Sequence, residues 1–316
     1  MEPERLPKGL IVDLITPLKD SGDIDGEGLR SLLAKVLPQA DGILLAGPQM
    51  GEGRGLDVGL KAELLRGVCD SVGGRVPLFL WVSQDSVEGT REIIALLEGV
   101  LKSSRYGGIV FWLDSPLFYH SNRGLHGHYQ ELAANTTHPF VLYNDAGLVE
   151  FLDRRLKRGN IRTAILKELS GVEKIKALIF RGPLARVNNY QKALNRRPDF
   201  RIYDGDEARF LEHPSLSGIL SMGANVAPRT WGIITRASLG MLDERERRPD
   251  HVNEIWEKGQ LLRDLIEMYQ HNPVWTIKKA LSDAAIIESP ACTSLVQPDE
   301  EADNQLTEFI SRHAVE

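Results

Sequence analysis

The stretch AILKELSG, Ala164 to Gly171, leads an apolar run into a lysine and then a Ser-Gly turn. Read as a buried strand, it sets Lys167 at the strand's mouth, where an ammonium is costly to desolvate. Desolvation lowers a lysine pKa, and a neutral amine attacks a ketone to form a Schiff base, an electron sink for carbon–carbon cleavage. Tyr143, at the end of the preceding apolar run PFVLYN, is then the nearest phenol, because adjacent parallel strands lie about 4.8 Å apart. A phenol there suits proton transfer to and from the carbinolamine. The competing reading is a solvated lysine paired with Glu168 and a packing tyrosine.

Such residues need a scaffold that collects strand ends at one mouth. Short apolar runs recur along the chain: GLIVDLIT from Gly9, GILLAG from Gly42, VPLFLWV from Val76, GIVFWL from Gly108, PFVLYN from Pro139, AILKEL from Ala164, FRIYDG from Phe200 and GILSMG from Gly218. Each has strand length and turn residues at its borders, and amphipathic helical segments such as SVEGTREIIALLEGVL lie between them. Runs apolar on both faces predict a parallel sheet covered by helices. Eight βα units predict a TIM (β/α)8 barrel over residues 1–235, followed by a helical extension over 236–316 packed on it. An open doubly wound sheet is the rival, but no G-x-G-x-x-G follows the first run.

Composition sets broad limits. The 316 residues carry a net charge of −6 with 42% hydrophobic residues, the profile of a soluble globular protein. The charge argues against nucleic acid or an anionic membrane as main partner, and the N-terminus MEPERLPKGL has no signal-peptide core. Two cysteines, Cys69 and Cys292, are too few for a disulfide framework, so a cytoplasmic location is expected. Strand ends carry no metal-spaced His/Cys/Asp cluster, no nucleophile elbow and no P-loop, and neither metal nor other cofactor is expected. His120, His126 and His128 read as a solvated helix face, Asp204 and Asp206 as turn aspartates beside Gly205, and ERERRPDH as a solvated helix end.

The order LYNDAG, AILKELSG, IYDGDE, GILSMGANVAP resembles the dihydrodipicolinate synthase / N-acetylneuraminate lyase family of Schiff-base aldolases. GLIVDLITPLKDSGDID, GILLAGPQMGEG and NPVWTIKKAL extend the likeness over nearly the whole chain. The resemblance implies Lys167 as the Schiff-base lysine and Tyr143 as the proton-relay tyrosine. It implies that Gly47 and the turn through Pro48, Gln49, Met50 and Gly51 hold a keto-acid carboxylate, and that Gly223, Ala224 and Asn225 line the pocket floor. It further implies a homotetramer built as a dimer of dimers, with a simple dimer as the lesser assembly, and Tyr119 as an inter-subunit residue.

The chain departs from that pattern in two places. Pro48, Gln49 and Met50 replace two hydroxyl residues of the carboxylate turn. Leu148 stands where synthases carry the arginine for the second substrate.

The expected function is therefore a carbon–carbon lyase of the class I aldolase type, acting on pyruvate or a 2-keto-3-deoxy sugar acid together with an aldehyde. The alternatives are dihydrodipicolinate synthase, condensing pyruvate with aspartate semialdehyde, and a catalytically impaired barrel that serves binding or assembly. A barrel that holds phosphate at the DGDE and SMGANV loops is a weaker reading, opposed by the acidic residues of the first loop.

Overall fold

The computed structural model describes residues 6–150, 159–214, 217–242, 249–299 and 305–313; the run ERERRPDH lies largely outside them. Strands and helices alternate as β1 (Gly9–Asp13), α1 (Gly26–Val36), β2 (Gly42–Leu45), α2 (Val58–Val72), β3 (Leu78–Trp81), α3 (Val87–Ser103), β4 (Val110–Asp114), α4 (Pro116–Tyr119), α5 (Leu125–Ala134), β5 (Phe140–Asp145), α6 (Ala146–Glu150), α7 (Thr163–Leu169), β6 (Ile175–Arg181), α8 (Leu184–Ala193), β7 (Arg201–Asp204), α9 (Glu207–Glu212), β8 (Gly218–Ser221) and α10 (Pro228–Ser238). The helices α11 (Pro249–Tyr269), α12 (Pro273–Asp283) and α13 (Gln305–His313) follow. The strands pair in parallel, in sequence order, and β8 returns to β1: a closed TIM barrel with a helical extension.

Closure depends on two glycines. Gly9 and Gly218 are register partners at φ +134° and +140°, and a Cβ on Gly218 would stand 1.9 Å from the Gly9 carbonyl oxygen. Only glycine lets the two backbones meet so closely. Period-2 alternation then divides the apolar strands between two cores. Ile11, Phe79, Phe111, Val141, Ile179 and Leu220 fill the barrel, while Leu10, Val12, Leu80, Trp112, Leu142 and Phe180 pack beneath the helices.

The helices start where local chemistry lets them. Asp57 accepts from the Leu60 N–H at the start of α2, and Gly73 closes it in the left-handed region; Ser86 caps α3 through the Gly89 N–H. The helix α10 packs on β1 and β8 and runs to Ser238, past residue 235, and α11 lies against α9, α10 and α12. No described helix is long and apolar enough to cross a membrane.

Seven of the eight expected strands form where the apolar runs stand; the sixth does not. AILKEL belongs to helix α7, and the sixth strand is the later run IKALIFR. Leu166 and Leu169, three apart, are the buried residues of α7, which is helical spacing. Strand β6 instead alternates Ala177 and Ile179 into the barrel with Leu178 and Phe180 outward.

Candidate functional site

The change of strand moves the lysine. Lys167 is in the last turn of α7, exposed on the outside of the barrel, so the expectation that it sits at a strand mouth beside Tyr143 is corrected. A helix of this spacing turns Leu166 and Leu169 to the core, which leaves position 167 in water. The inward positions of β6 are Ala177, Ile179 and, at its C-terminal end, Arg181; Lys176 falls on the outward face of the strand. Replacing Lys167 with alanine is accordingly expected to change unfolding free energy by no more than about 0.5 kcal/mol and to leave ligand binding unchanged. Urea titration and calorimetry check both, and a loss of binding would return Lys167 to the site.

Tyr143 does face inward, in register with Ile179 across the β5–β6 pair. Burial pushes its phenol well above the ordinary tyrosine range and Asp145 adds to this, while the charge and hydrogen bond of Arg181 pull the other way. Tyr143 is thus a hydroxyl donor at neutral pH, not a phenolate. Arg181 supplies the cation. Burial works against its charge, but Tyr143, Asp145, Asp206 and Glu207 outweigh that and raise its pKa.

The turn after β2 reaches this cluster through one side chain. Gln49 Oε1 accepts from Arg181 Nη1 at 2.5 Å, and Gln49 Nε2 donates to Asp145 Oδ2 at 3.0 Å. Gln49 therefore bridges a cation and an anion, and the hydrogen bonds it was expected to offer a ligand are engaged within the chain. Met50 is fully buried in the outer core, and Pro48 is buried as well. Gly51 accepts from Thr16 Oγ1 at 2.8 Å, and Gly47 accepts from the Gly53 N–H at 2.9 Å.

The expected floor residues make hydrogen bonds within the chain. Asn225 Nδ2 donates to the Asp13 and Met222 carbonyls at 2.8 and 2.7 Å, and its Oδ1 accepts from the Ile15 N–H at 3.1 Å, tying β1 to the end of β8. The Gly223 N–H donates to Glu207 Oε1, and the Ala224 N–H donates to Ser221 Oγ. Glu207 also accepts from Ser221 and Tyr269 hydroxyls at 2.5 and 2.6 Å. Asp206 caps α9, as a turn aspartate does, whereas Asp204 is the last residue of β7, buried and paired with Arg209.

Tyr119 is held within its own chain. Its hydroxyl donates to Asp114 Oδ2 at 2.8 Å and lies 3.0 Å from His128 Nε2. Asp114 also accepts from Ser83 and Tyr129, at 2.6 Å each. His128 is buried and stacks on His120, which corrects the expectation of a solvated histidine face. His126 is half-buried. Among the described residues no group of three or more His, Cys, Asp or Glu is disposed to hold a metal.

Sequence reasoning missed Arg181 and Asp13. IKALIFR carries the signal for the first, an alternating apolar run ended by Arg and then Gly-Pro. GLIVDLIT carries the signal for the second, a lone carboxylate inside an apolar strand. Asp13 closes the inward row of β1 after Ile11 and is 3% exposed.

This barrel matches known proteins. The model of the dihydrodipicolinate synthetase family matches residues 6–313. The chain belongs to this family. Over 237 residues it is 30% identical to the 4-hydroxy-tetrahydrodipicolinate synthase of Ectopseudomonas mendocina, covering 73% of this chain and 75% of that protein. The same enzyme of Pseudomonas aeruginosa is 30% identical over 241 residues, with the same coverage. Among solved structures, dihydrodipicolinate synthase from Aquifex aeolicus superposes with a TM-score of 0.77 at 22% identity, covering 97% of this chain and 98% of that one. YagE, a prophage protein of the family from E. coli K12 in complex with pyruvate, gives 0.76 at 19%, covering 96% and 98%.

Members of the dihydrodipicolinate synthetase family are lyases and synthases of the class I aldolase type that use a Schiff-base lysine. Membership supports the reading of this chain as a carbon–carbon lyase on a 2-oxo acid and is consistent with the synthase alternative. In this chain the sixth strand turns Ala177, Ile179 and Arg181, not a lysine, toward the barrel interior.

Proposed function

We propose that the mouth of this barrel takes a small 2-oxo acid, the substrate class of its family, and holds it by its carboxylate on Arg181, without an imine on the sixth strand. The observation that carries this is Arg181 itself, the inward residue at the C-terminal end of β6, beside Tyr143 and bridged by Gln49. A guanidinium stays protonated in proteins and offers a planar fork to a carboxylate. For the same reason it cannot add to a ketone. Tyr143, protonated at neutral pH, is placed to donate to the oxo group.

Two described lysines are buried, Lys61 and Lys278, and both lie on helices. Lys278 pairs with Glu52. The Lys61 ammonium stands 5.3 Å from the centroid of the Trp81 ring, and burial lowers its pKa to about 8 against the opposing charge of Asp57. Lys61 is therefore the described amine best suited to an adduct if one forms.

The test is intact-mass spectrometry after incubation with pyruvate and borohydride, alongside a thermal-shift titration with pyruvate. The expected result is stabilisation by pyruvate without a reduced pyruvyl adduct. An adduct that maps to Lys61 or any other lysine would overturn non-covalent holding and restore the covalent lyase with that residue as its amine. No stabilisation at millimolar pyruvate would overturn the ligand class.

The expected homotetramer is retained as part of this proposal, supported by the family resemblance and by Trp256, 73% exposed on α11. Light scattering at micromolar concentration tests it. A cytoplasmic location is supported by Cys69 and Cys292, which are both unpaired.

A further inference from the structure

We infer that Asp13 is a ligand-binding residue of the mouth: its carboxyl group donates an O–H to the ligand's carboxylate, the contact that the turn from Gly47 to Gly51 lacks a hydroxyl to make. The inference rests on the 2-oxo-acid reading above. It begins from an unsatisfied atom. Asp13 Oδ1 is buried without a hydrogen-bond partner, although buried polar groups are almost always paired. Leaving such a group bare is costly unless something else meets it.

Asp13 ends the inward row of β1, and its Oδ1 lies against Gly47: a Cβ built there would be 2.4 Å from Oδ1. Glycine at 47 thus makes the room that the Asp13 carboxyl group occupies. The charges that act on Asp13 are those of Arg181 from β6 and Glu207 from α9, and Asp13 in turn acts on Tyr143 of β5. Leu44 of β2 and Asn225, which binds only the Asp13 backbone oxygen, add no charge. The carboxyl group therefore shares the mouth with the Arg181 cation and the Tyr143 phenol, which feel its charge.

As an anion Asp13 would repel an incoming carboxylate; as a neutral acid it is a donor. Burial, followed by the charge of Glu207, raises its pKa to about 8 against the pull of Arg181. The donor form is present below that pH and is lost as pH rises through it. Arg181 stays charged throughout, so it gives no titration of its own in this range.

The experiment is calorimetric titration of pyruvate into the full-length protein at constant ionic strength from about pH 6.5 to about pH 9.5, with wild type and Asp13→Asn. For a donor that titrates at about 8, the wild-type Kd is expected to rise by about tenfold per pH unit above that point. Asp13→Asn, whose amide donates at every pH, is expected to bind with a flat profile. A flat wild-type profile, or an Asp13→Asn profile that falls as wild type does, would overturn the role of Asp13 while leaving the ligand class in place. No pyruvate binding at any pH would remove the ligand class and this inference together. A second measurement needs no variant: in carboxyl-¹³C aspartate-labelled wild type, one resonance should titrate far above the ordinary aspartate range and move on addition of pyruvate. An aspartate spectrum titrating wholly below pH 5 would overturn the inference even if Asp13→Asn fails to fold.

Discussion

Replacing Lys278 with methionine lowers the unfolding free energy by about 3–5 kcal/mol, because it strands Glu52 as a buried, unpaired carboxylate. The two side chains are 0% and 1% exposed. Each is held further: Lys278 Nζ donates to the Ala291 carbonyl at 2.7 Å, and Glu52 Oε1 accepts from the Thr293 N–H at 2.7 Å. The pair thereby pins the turn after β2 to helix α12 and to the segment that follows it. Glu52 sits in the left-handed region at φ +52°, a conformation that costs energy for a non-glycine residue and persists only when its surroundings impose it. Urea denaturation measures the loss. The double replacement Lys278→Met with Glu52→Gln is expected to recover part of it, since a neutral amide leaves no bare charge. A single variant within about 1 kcal/mol of wild type would mean that water reaches the pair and that the turn is anchored elsewhere.

Replacing Arg181 with alanine is expected to weaken pyruvate binding by about 2–5 kcal/mol, the usual loss when one partner of a buried charge pair is truncated. At 1.4 kcal/mol per decade this is a factor of roughly thirty to several thousand. The variant also frees Gln49 and leaves Asp145 without the cation beside it, so the mouth becomes net repulsive to an acid. Isothermal calorimetry at neutral pH reads the effect. Arg181→Lys separates charge from geometry: it keeps the charge and loses the fork, and an intermediate affinity is expected. Unchanged binding in Arg181→Ala would move the carboxylate site away from β6.

The position of the amine decides between the chemistries open to this family. A Schiff base needs a primary amine that can lose its proton and reach the ketone. At the register position beside Tyr143 the chain has Ile179, and above it Arg181. Charge and donor capacity are kept there, but the capacity for covalent attack is not. On the proposal above, the mouth works by recognition: Arg181, Tyr143 and the buried Asp13 carboxyl group face the barrel interior, and Gln49 of the turn after β2 bridges Arg181 to Asp145.

Much of this was legible in the residues alone. Period and length of the apolar runs, with glycine and proline at their borders, determined the barrel, seven of its eight strands and the inward face of Tyr143, because a strand buried on both sides must be apolar and short. They also placed Asp206 in the turn after β7, although Asp204 is the last residue of the strand itself. The sixth strand was another matter. AILKEL and IKALIFR are both short, apolar and interrupted by one lysine, and such runs carry no local feature that separates helix from strand. Pairing separates them: only IKALIFR finds β5 and β7 on its two sides, and with that choice Lys167 goes to solvent and Arg181 to the mouth. Likewise, nothing near Asp13 in sequence marks it as a site residue. Its meaning comes from Gly47, Arg181, Glu207 and Tyr143, brought together by barrel closure, and it is their shared burial that keeps its proton on.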